Sequence, residues 1–186
     1  MIDSKKIIDL SQYSSDFGMS NKMKRLLWNI SYWLLFRPFT TRLFMGWRRF
    51  VLRLFGAKIA DNVNIYASAR IWAPWNLEMG EYSCLAPYVD CYNQGNIIIG
   101  ANVVVSQKST LCASGHDISK KDFKLVCKPI QIESQVWIAS EVFIGPGVKI
   151  AEGAVVGARS AVFKNVEAWT VVRGNPAEFI KKRIIT

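Results

Sequence analysis

From Ile132 onward an aliphatic residue recurs at every sixth position: Ile132, Ile138, Ile144, Ile150, Val156 and Val162. A second apolar position falls four residues after each anchor, at Val136, Val142, Val148 and Ala154, with the polar Ser160 ending the series. An earlier register runs Ile59, Ile65, Ile71, Leu77 and then shifts to Met79, Leu85, Cys91; a third block gives Ile99, Val105, Leu111. A period of six is neither the 3.6 of a helix nor the plain alternation of a half-buried strand. It predicts a short strand and a tight turn, repeated so that every sixth side chain points inward. Three such strands close a triangular coil, and stacked coils bury a continuous aliphatic column. A sandwich of short strands would not need the period held over six consecutive units. Gly80, Gly100, Gly145, Gly147, Gly153 and Gly157 are expected to supply turn conformations that a Cβ would penalise.

The repeat divides the chain. Residues 57–174 read as a mainly β solenoid, a parallel β-helix, interrupted by an excursion loop at 115–129 where the hexads break. Residues 1–56 form an N-terminal basic segment in which two helices, Lys22–Phe36 and Thr40–Phe55, are broken at Arg37-Pro38. Residues 175–186 read as a basic tail with a short helix. The second N-terminal helix sets Arg42, Arg48, Arg49 and Arg53 among Leu43, Phe44, Trp47, Phe50, Val51, Leu52 and Leu54. Two destinations suit such helices: an anionic membrane surface, or the end of the β-helix together with a subunit interface. The pattern favours neither.

Composition narrows the class. With 51% apolar and 20% charged residues in 186, the chain is a folded domain with a sizeable core. Its formal charge of +10 points to anionic partners. That charge sits at the two ends: ten Lys/Arg against three Asp/Glu in 1–56, seven against eight in 57–144, and seven against three in 145–186. A neutral middle without a basic stripe, and no recognised module signature, argue against nucleic acid. Four cysteines without CxxC spacing and one histidine cannot make a Cys/His zinc site, so no metal is expected. The longest strongly apolar stretch, Leu26–Phe36, is shorter than the ~20 residues of a bilayer span. Met1–Asp16 is polar and carries acids, unlike a cleavable signal peptide. The expected location is therefore cytoplasmic, at the inner face of the cytoplasmic membrane if the helices bind lipid.

Several segments carry more than the period. They are Ile71-Trp72-Ala73-Pro74-Trp75-Asn76-Leu77, Val89-Asp90-Cys91-Tyr92-Asn93, Leu111-Cys112-Ala113-Ser114-Gly115-His116-Asp117, Trp137-Ile138-Ala139-Ser140-Glu141, and Trp169-Thr170-Val171-Val172-Arg173-Gly174-Asn175-Pro176-Ala177. With them the chain resembles the hexapeptide-repeat acyltransferases, whose fold is a left-handed parallel β-helix. Within these it resembles the maltose/galactoside O-acetyltransferase branch and the acetyltransferases ascribed to colanic acid biosynthesis. The likeness covers nearly the whole chain, and the His-Asp element and Gly-Asn-Pro-Ala ending make it specific.

Acyl transfer from a thioester to a hydroxyl needs a base for the hydroxyl proton, donors for the tetrahedral oxyanion, and a site for the thioester. Histidine, which titrates near 6.5 when unperturbed, can be a neutral base at cytosolic pH. The sole histidine, His116, is the expected general base, attacking no carbonyl itself but freeing the acceptor hydroxyl to do so. Asp90 and Asn93, about one coil earlier, are candidates to orient the imidazole or hold the acceptor. Where the family usually has serine directly before the histidine, this chain has Gly115, with Ser114 one place earlier. Cys112 as an acyl-carrying nucleophile is the rival mechanism, which a reactive thioester does not require.

The resemblance further implies acetyl-CoA in a groove along the C-terminal coils, between neighbouring subunits of a homotrimer. Ala139, Ser140, Gly157 and Ala158 would let the pantetheine arm approach, and Lys164 and Lys181 match family contacts to the cofactor by position. Arg173, Lys182 and Arg183 are further cations at this end. The acceptor implied is a sugar or lipid-linked saccharide of an exopolysaccharide or capsule precursor. The alternative is a non-catalytic β-helix scaffold or a membrane-surface binding protein. A γ-type carbonic anhydrase would need three histidines, and serine acetyltransferase a longer helical N-terminal domain than 56 residues hold.

Overall fold

The structure is a computed structural model that describes residues 8–13 and 17–186. Helix α1 (Met19–Ser31) runs on through a π-helical turn at Tyr32–Phe36, and a 3-10 turn at Arg42–Phe44 leads into α2 (Met45–Leu54). The hexads then wind a left-handed parallel β-helix. Its first coil is β1 (Lys58–Ile59), β2 (Asn64–Ile65) and β3 (Arg70–Ile71). The second is β4 (Leu77–Met79), β5 (Cys84–Leu85) and β6 (Asp90–Tyr92), and the third β7 (Ile97–Ile99), β8 (Val104–Val105) and β9 (Thr110–Cys112). After a hairpin of β10 (Ser114–His116) and β11 (Leu125–Cys127), the fourth coil follows as β12 (Ile130–Ile132), β13 (Trp137–Ile138) and β14 (Phe143–Ile144). The fifth is β15 (Lys149–Ile150), β16 (Val155–Val156) and β17 (Ala161–Val162). A partial sixth holds β18 (Thr170–Arg173), and β19 (Glu178–Lys182) closes the chain. Three parallel faces result: A stacks β1-β4-β7-β12-β15, B stacks β2-β5-β8-β13-β16-β18, and C stacks β3-β6-β9-β14-β17.

The aliphatic anchors of the repeat are the core. Ile65, Ile71, Leu85, Ile99, Leu111, Ile138, Ile144 and Val156 are all essentially inaccessible, as are the second-position residues Val136, Val142, Val148 and Ala154. The register shift at Leu77 and Met79 has a simple basis. Both residues sit on β4 and both face inward, because they are two apart on a strand. A 3-10 turn at Pro74–Asn76 accommodates the two extra residues at the corner. A shift of two keeps the parity of the strand, so no side chain changes face.

The glycines work differently from the expectation. Of the six named, only Gly147 and Gly153 have positive φ, and most corners in the left-handed region carry other residues, among them Tyr82, Asn102 and Gln135. Gly80 is required by close approach instead. A Cβ there would lie 2.7 Å from the Ala101 nitrogen and 2.8 Å from the Gly100 carbonyl carbon of the next coil.

Each end of the stack is closed by its own device. At the N-terminal end the first coil has no preceding coil to bond its carbonyls. Trp28 Nε1 donates to Ile71 O at 2.8 Å, Arg48 Nε to Ile65 O at 2.7 Å, Arg49 Nη1 to Val63 O at 2.9 Å and Arg53 Nη2 to Ile59 O at 2.6 Å. Tyr32 Oη and Arg37 Nη1 reach the carbonyls of Ala69 and Ala67 more loosely, at 3.3 and 3.5 Å. Trp28, Phe36, Val51 and Leu52 cover the open end of the core. The helices therefore cap the solenoid. At the C-terminal end the expected short helix is absent: Glu178–Lys182 is a strand, antiparallel to β18. A helix there would leave the β18 edge bare, whereas a returning strand bonds it directly.

Candidate active site

His116 ends β10 at the start of the excursion, where the hairpin pairing of Ser114 with Cys127 and of His116 with Leu125 lifts the chain off face C. Its ring is exposed, and Nδ1 lies 2.6 Å from the Phe123 carbonyl oxygen across the loop. A carbonyl oxygen only accepts, so Nδ1 carries the proton in this bond. The neutral imidazole then presents its lone pair on Nε2. On one side of the ring is a cleft of 470 Å³ lined by Gly115, Asp117, Ile118, Val126, Lys128 and Pro146. On the other, Leu10, Tyr13 and Phe123 line a more apolar hollow, with the Tyr13 ring centroid 6.4 Å from that of His116. Residues 9–13 are held on this loop by the Asp9 N–H donating to Lys121 O at 2.9 Å.

Asp117 does not serve the imidazole. Its Oδ1 accepts from the Ser119 backbone at 2.9 Å and hydroxyl at 2.6 Å, closing a local turn, and these bonds lower its pKa.

Asp90 and Asn93 part company. Asn93 is wholly buried, and its amide is used on the preceding coil: Oδ1 accepts from Ala73 N at 2.9 Å, and Nδ2 donates to Ala73 O. A side chain with no accessible atom touches no acceptor in this arrangement; it stitches two coils together. Asp90 instead faces outward on face C, next to Arg70 in register. Burial raises its pKa, with Arg70 pulling the other way, and its Oδ1 is buried without a hydrogen-bond partner.

Asp90 borders a cavity of 630 Å³ between α1 and the first two coils, with Arg25, Arg70, Trp72, Tyr88 and Tyr32 among its walls. The Arg25 guanidinium lies 3.9 Å from the Trp72 ring centroid, and its buried Nη1 also lacks a partner. Trp72 packs edge-on to Tyr92, Tyr92 pairs in register with Cys112, and the chain continues from Cys112 into β10. A row of face C side chains thus runs from the cavity to the histidine strand. Sequence reasoning missed this row. Its signal was available: large aromatics at the outward positions that follow the inward Ile71 and Cys91.

Cys112 is half-buried and its Sγ donates to Ser114 O at 3.2 Å, while Cys91 is in the core, where burial pushes the thiol up. Among the described residues no group of His, Cys, Asp and Glu is placed to hold a metal.

The residues chosen for the donor fall in one column, with two exceptions. Ile138 pairs with Val156, which sets Ala139 beside Gly157 and Ser140 beside Ala158 at the corner between faces B and C. The Arg159 N–H donates to Ser140 O at 3.0 Å, fixing this stack, and Arg159 closes an ion pair with Glu141 at 2.8 Å. No side chain larger than serine occupies these four positions, although Ala139 is buried and the Arg173 side chain packs over Gly157, where a Cβ would lie 3.0 Å from its Cγ. Lys164 follows β17 and lies past the other end of face C; Lys181 lies on β19, paired with Val171. Both are exposed, and neither belongs to the column. Arg183 is tied down, donating to Gln135 O and Gly153 O at 2.8 Å each.

Comparison with known proteins gives relatives over the full length, although no family model matches the chain. Over 180 residues, 96% of this chain and 98% of the relative, it is 44% identical to WcaF of Escherichia coli (strain K12), named for a proposed acetyltransferase role in colanic acid biosynthesis. Among solved structures it resembles a maltose O-acetyltransferase from Clostridium difficile 630, with a TM-score of 0.80 and 26% identity over 90% of each chain. The hexapeptide-repeat acetyltransferase VCA0836 of Vibrio cholerae O1 biovar eltor, solved with acetyl coenzyme A, superposes with a TM-score of 0.80 over 93% of this chain and 94% of that one. At 21% identity the second likeness speaks for the fold alone.

Proposed function

The chain belongs to the hexapeptide-repeat acetyltransferases, and from that premise we propose that it moves the acetyl group of acetyl-CoA to a sugar hydroxyl of an exopolysaccharide or capsule precursor. The observation that carries this reading is the bond from His116 Nδ1 to the Phe123 carbonyl, which leaves Nε2 as the free base at the mouth of two clefts. His116 Nε2 takes the proton of the acceptor hydroxyl as its oxygen attacks the thioester carbonyl. The C–S bond breaks, and the imidazolium returns the proton to the leaving thiolate. No covalent enzyme intermediate is needed, so Cys112 keeps its bond to Ser114 throughout.

The corner column of Ala139, Ser140, Gly157 and Ala158 would receive the pantetheine arm, in a homotrimer whose neighbouring subunit forms the other wall. Lys164 and Lys181 would meet the phosphates from outside the column. The acceptor would occupy the cavity beside Asp90. Asp90, Arg70, Ser68 and Tyr88 line it with groups suited to hydroxyl-rich ligands, and Tyr32 and Trp33 add aromatic walls. Asn93 supports this wall from behind.

Calorimetry with acetyl-CoA and thiol release with a panel of free, nucleotide-linked and lipid-linked sugars test the reading. His116→Ala should bind acetyl-CoA within about twofold of the native protein while turnover falls by ~10²–10⁴. Unchanged turnover in His116→Ala would remove the base, and no acetyl-CoA binding by the folded protein would remove the donor.

A further inference from the structure

An amphipathic surface helix normally turns its polar side to water. The N-terminal helices carry apolar residues on the side away from the core as well. On α1 and its π-helical continuation, Arg25, Trp28, Tyr32 and Phe36 face the solenoid, and Met23, Leu26, Leu27, Ile30 and Leu34 form the opposite stripe at spacings of three and four, with Trp33 at its edge beside the cavity. These outward residues are bare: Trp33 and Leu34 are each 65% exposed. On α2 and the turn before it, Val51 and Leu52 face in, while Leu43, Trp47, Phe50 and Leu54 form the outward stripe, with Leu43 91% exposed. The stripes join where Trp47 Nε1 donates to Leu35 O at 2.7 Å. The result is one apolar face across the N-terminal end of the molecule, larger than scattered surface residues explain.

Its electrostatics are one-sided. Between Asp16 and Asp61 the chain has nine Lys and Arg and no Asp or Glu. Arg48, Arg49 and Arg53 spend their hydrogen bonds on the carbonyls of the first coil; Arg53 also pairs with Asp61 at 2.7 Å, whereas Arg48 and Arg49 make no ion pair among the described residues. Lys22, Lys24 and Arg42 are exposed around the stripes. No helix among the described residues is long and apolar enough to cross a membrane.

We propose that this face seats the protein on an anionic bilayer surface, with the apolar stripes in the headgroup–acyl boundary and the flanking cations against lipid phosphates. A second copy of the chain is a poorer occupant, because the same patch turned on itself would bring like charges together, and the nearby acid, Asp61, is already paired with Arg53. Seated this way, the solenoid axis stands away from the membrane with the Asp90 cavity on its membrane-proximal coils, where a lipid-linked substrate would present its head group. The proposal does not depend on acetyl transfer.

Cosedimentation of the full chain with vesicles tests it. Binding to phosphatidylglycerol/phosphatidylcholine vesicles should exceed binding to phosphatidylcholine alone by about tenfold and weaken in high salt. Leu27→Ser combined with Leu34→Ser should cut vesicle binding by about tenfold while leaving the melting temperature unchanged, since both side chains are exposed. Native protein that stays in the supernatant with both vesicle types overturns the proposal. So does a double variant that still binds vesicles but shows a smaller sedimentation coefficient than the native chain, which would assign the face to a second copy.

Discussion

The two ends of the solenoid solve one problem by opposite means. A stack of parallel coils leaves a row of unpaired backbone groups at each end, open to further pairing. The C-terminal end is closed by backbone: β19 reverses and bonds β18 over Thr170–Arg173. The N-terminal end is closed by side chains, as one tryptophan, one tyrosine and four arginines of the helices reach six carbonyls of the first coil. A backbone cap is generic and spreads its bonds over a strand. A side-chain cap concentrates them in a few residues, and its long cations make the end basic. The contrast accounts for four of the ten cations in 1–56, namely Arg37, Arg48, Arg49 and Arg53.

Stopping the chain after Ala177 should give the largest effect. It removes β19 and the Arg183 bonds together, so the protein should lose several degrees of melting temperature and form high-mass species in light scattering. A monodisperse truncated protein of native stability would show that β19 is not the cap. Arg48→Met is the corresponding test at the other end. Arg48 is buried and donates to the carbonyls of Ile65, Phe39 and Thr41, so its loss orphans three acceptors. At ~1–3 kcal/mol for each buried unsatisfied group, partly relieved by water, denaturant unfolding should register a loss of about 3 kcal/mol. Arg183→Met, at the strand-capped end, removes only two partly exposed bonds and should cost about 1 kcal/mol in the same assay.

The smallest effect lies between the ends, and its sign depends on pH. Burial raises the Asp90 pKa in the folded protein, against the pull of Arg70. A carboxyl whose folded pKa is raised stabilises the fold while protonated and loses that contribution as pH rises through the folded value. Asp90→Asn should therefore melt slightly higher than the native protein at neutral pH, with the difference shrinking as pH falls from the raised folded value to the ordinary aspartate range. A lower melting temperature for the variant at neutral pH would mean that pairing with Arg70 outweighs desolvation.

Much of the architecture was legible because the repeat acts locally. Ile138, Ile144, Ile150 and Val156 each face the axis for the same reason, and the shift from Leu77 to Met79 reads correctly once both are seen to share a strand parity. The C-terminal strand was not legible: Glu178–Lys182 has no hexad, and what decides its conformation is the bare edge of β18, formed by residues of the coil before it. The glycines mislead for a related reason. Gly80 looks like a turn residue, but its constraint is the backbone of Gly100 and Ala101 on the next coil. At the candidate site, His116 stood out as the sole histidine beside a broken repeat. Asn93 and Asp90 looked alike on paper, and only stacking separates an amide sealed against Ala73 from a carboxylate facing a cavity.

The coil follows from the linear pattern alone, because a period of six specifies which side chains point inward whatever lies outside. So does the family, through motifs that survive in linear order. The tertiary structure decided everything that depends on which coil lies above which: the caps at both ends, the meeting of Arg25, Trp72 and Asp90 around one cavity, and the loop carbonyl that sets the histidine tautomer. These are contacts between residues separated by a full coil or more, and a repeat that makes every coil alike carries no local mark of where it will start, stop or be interrupted.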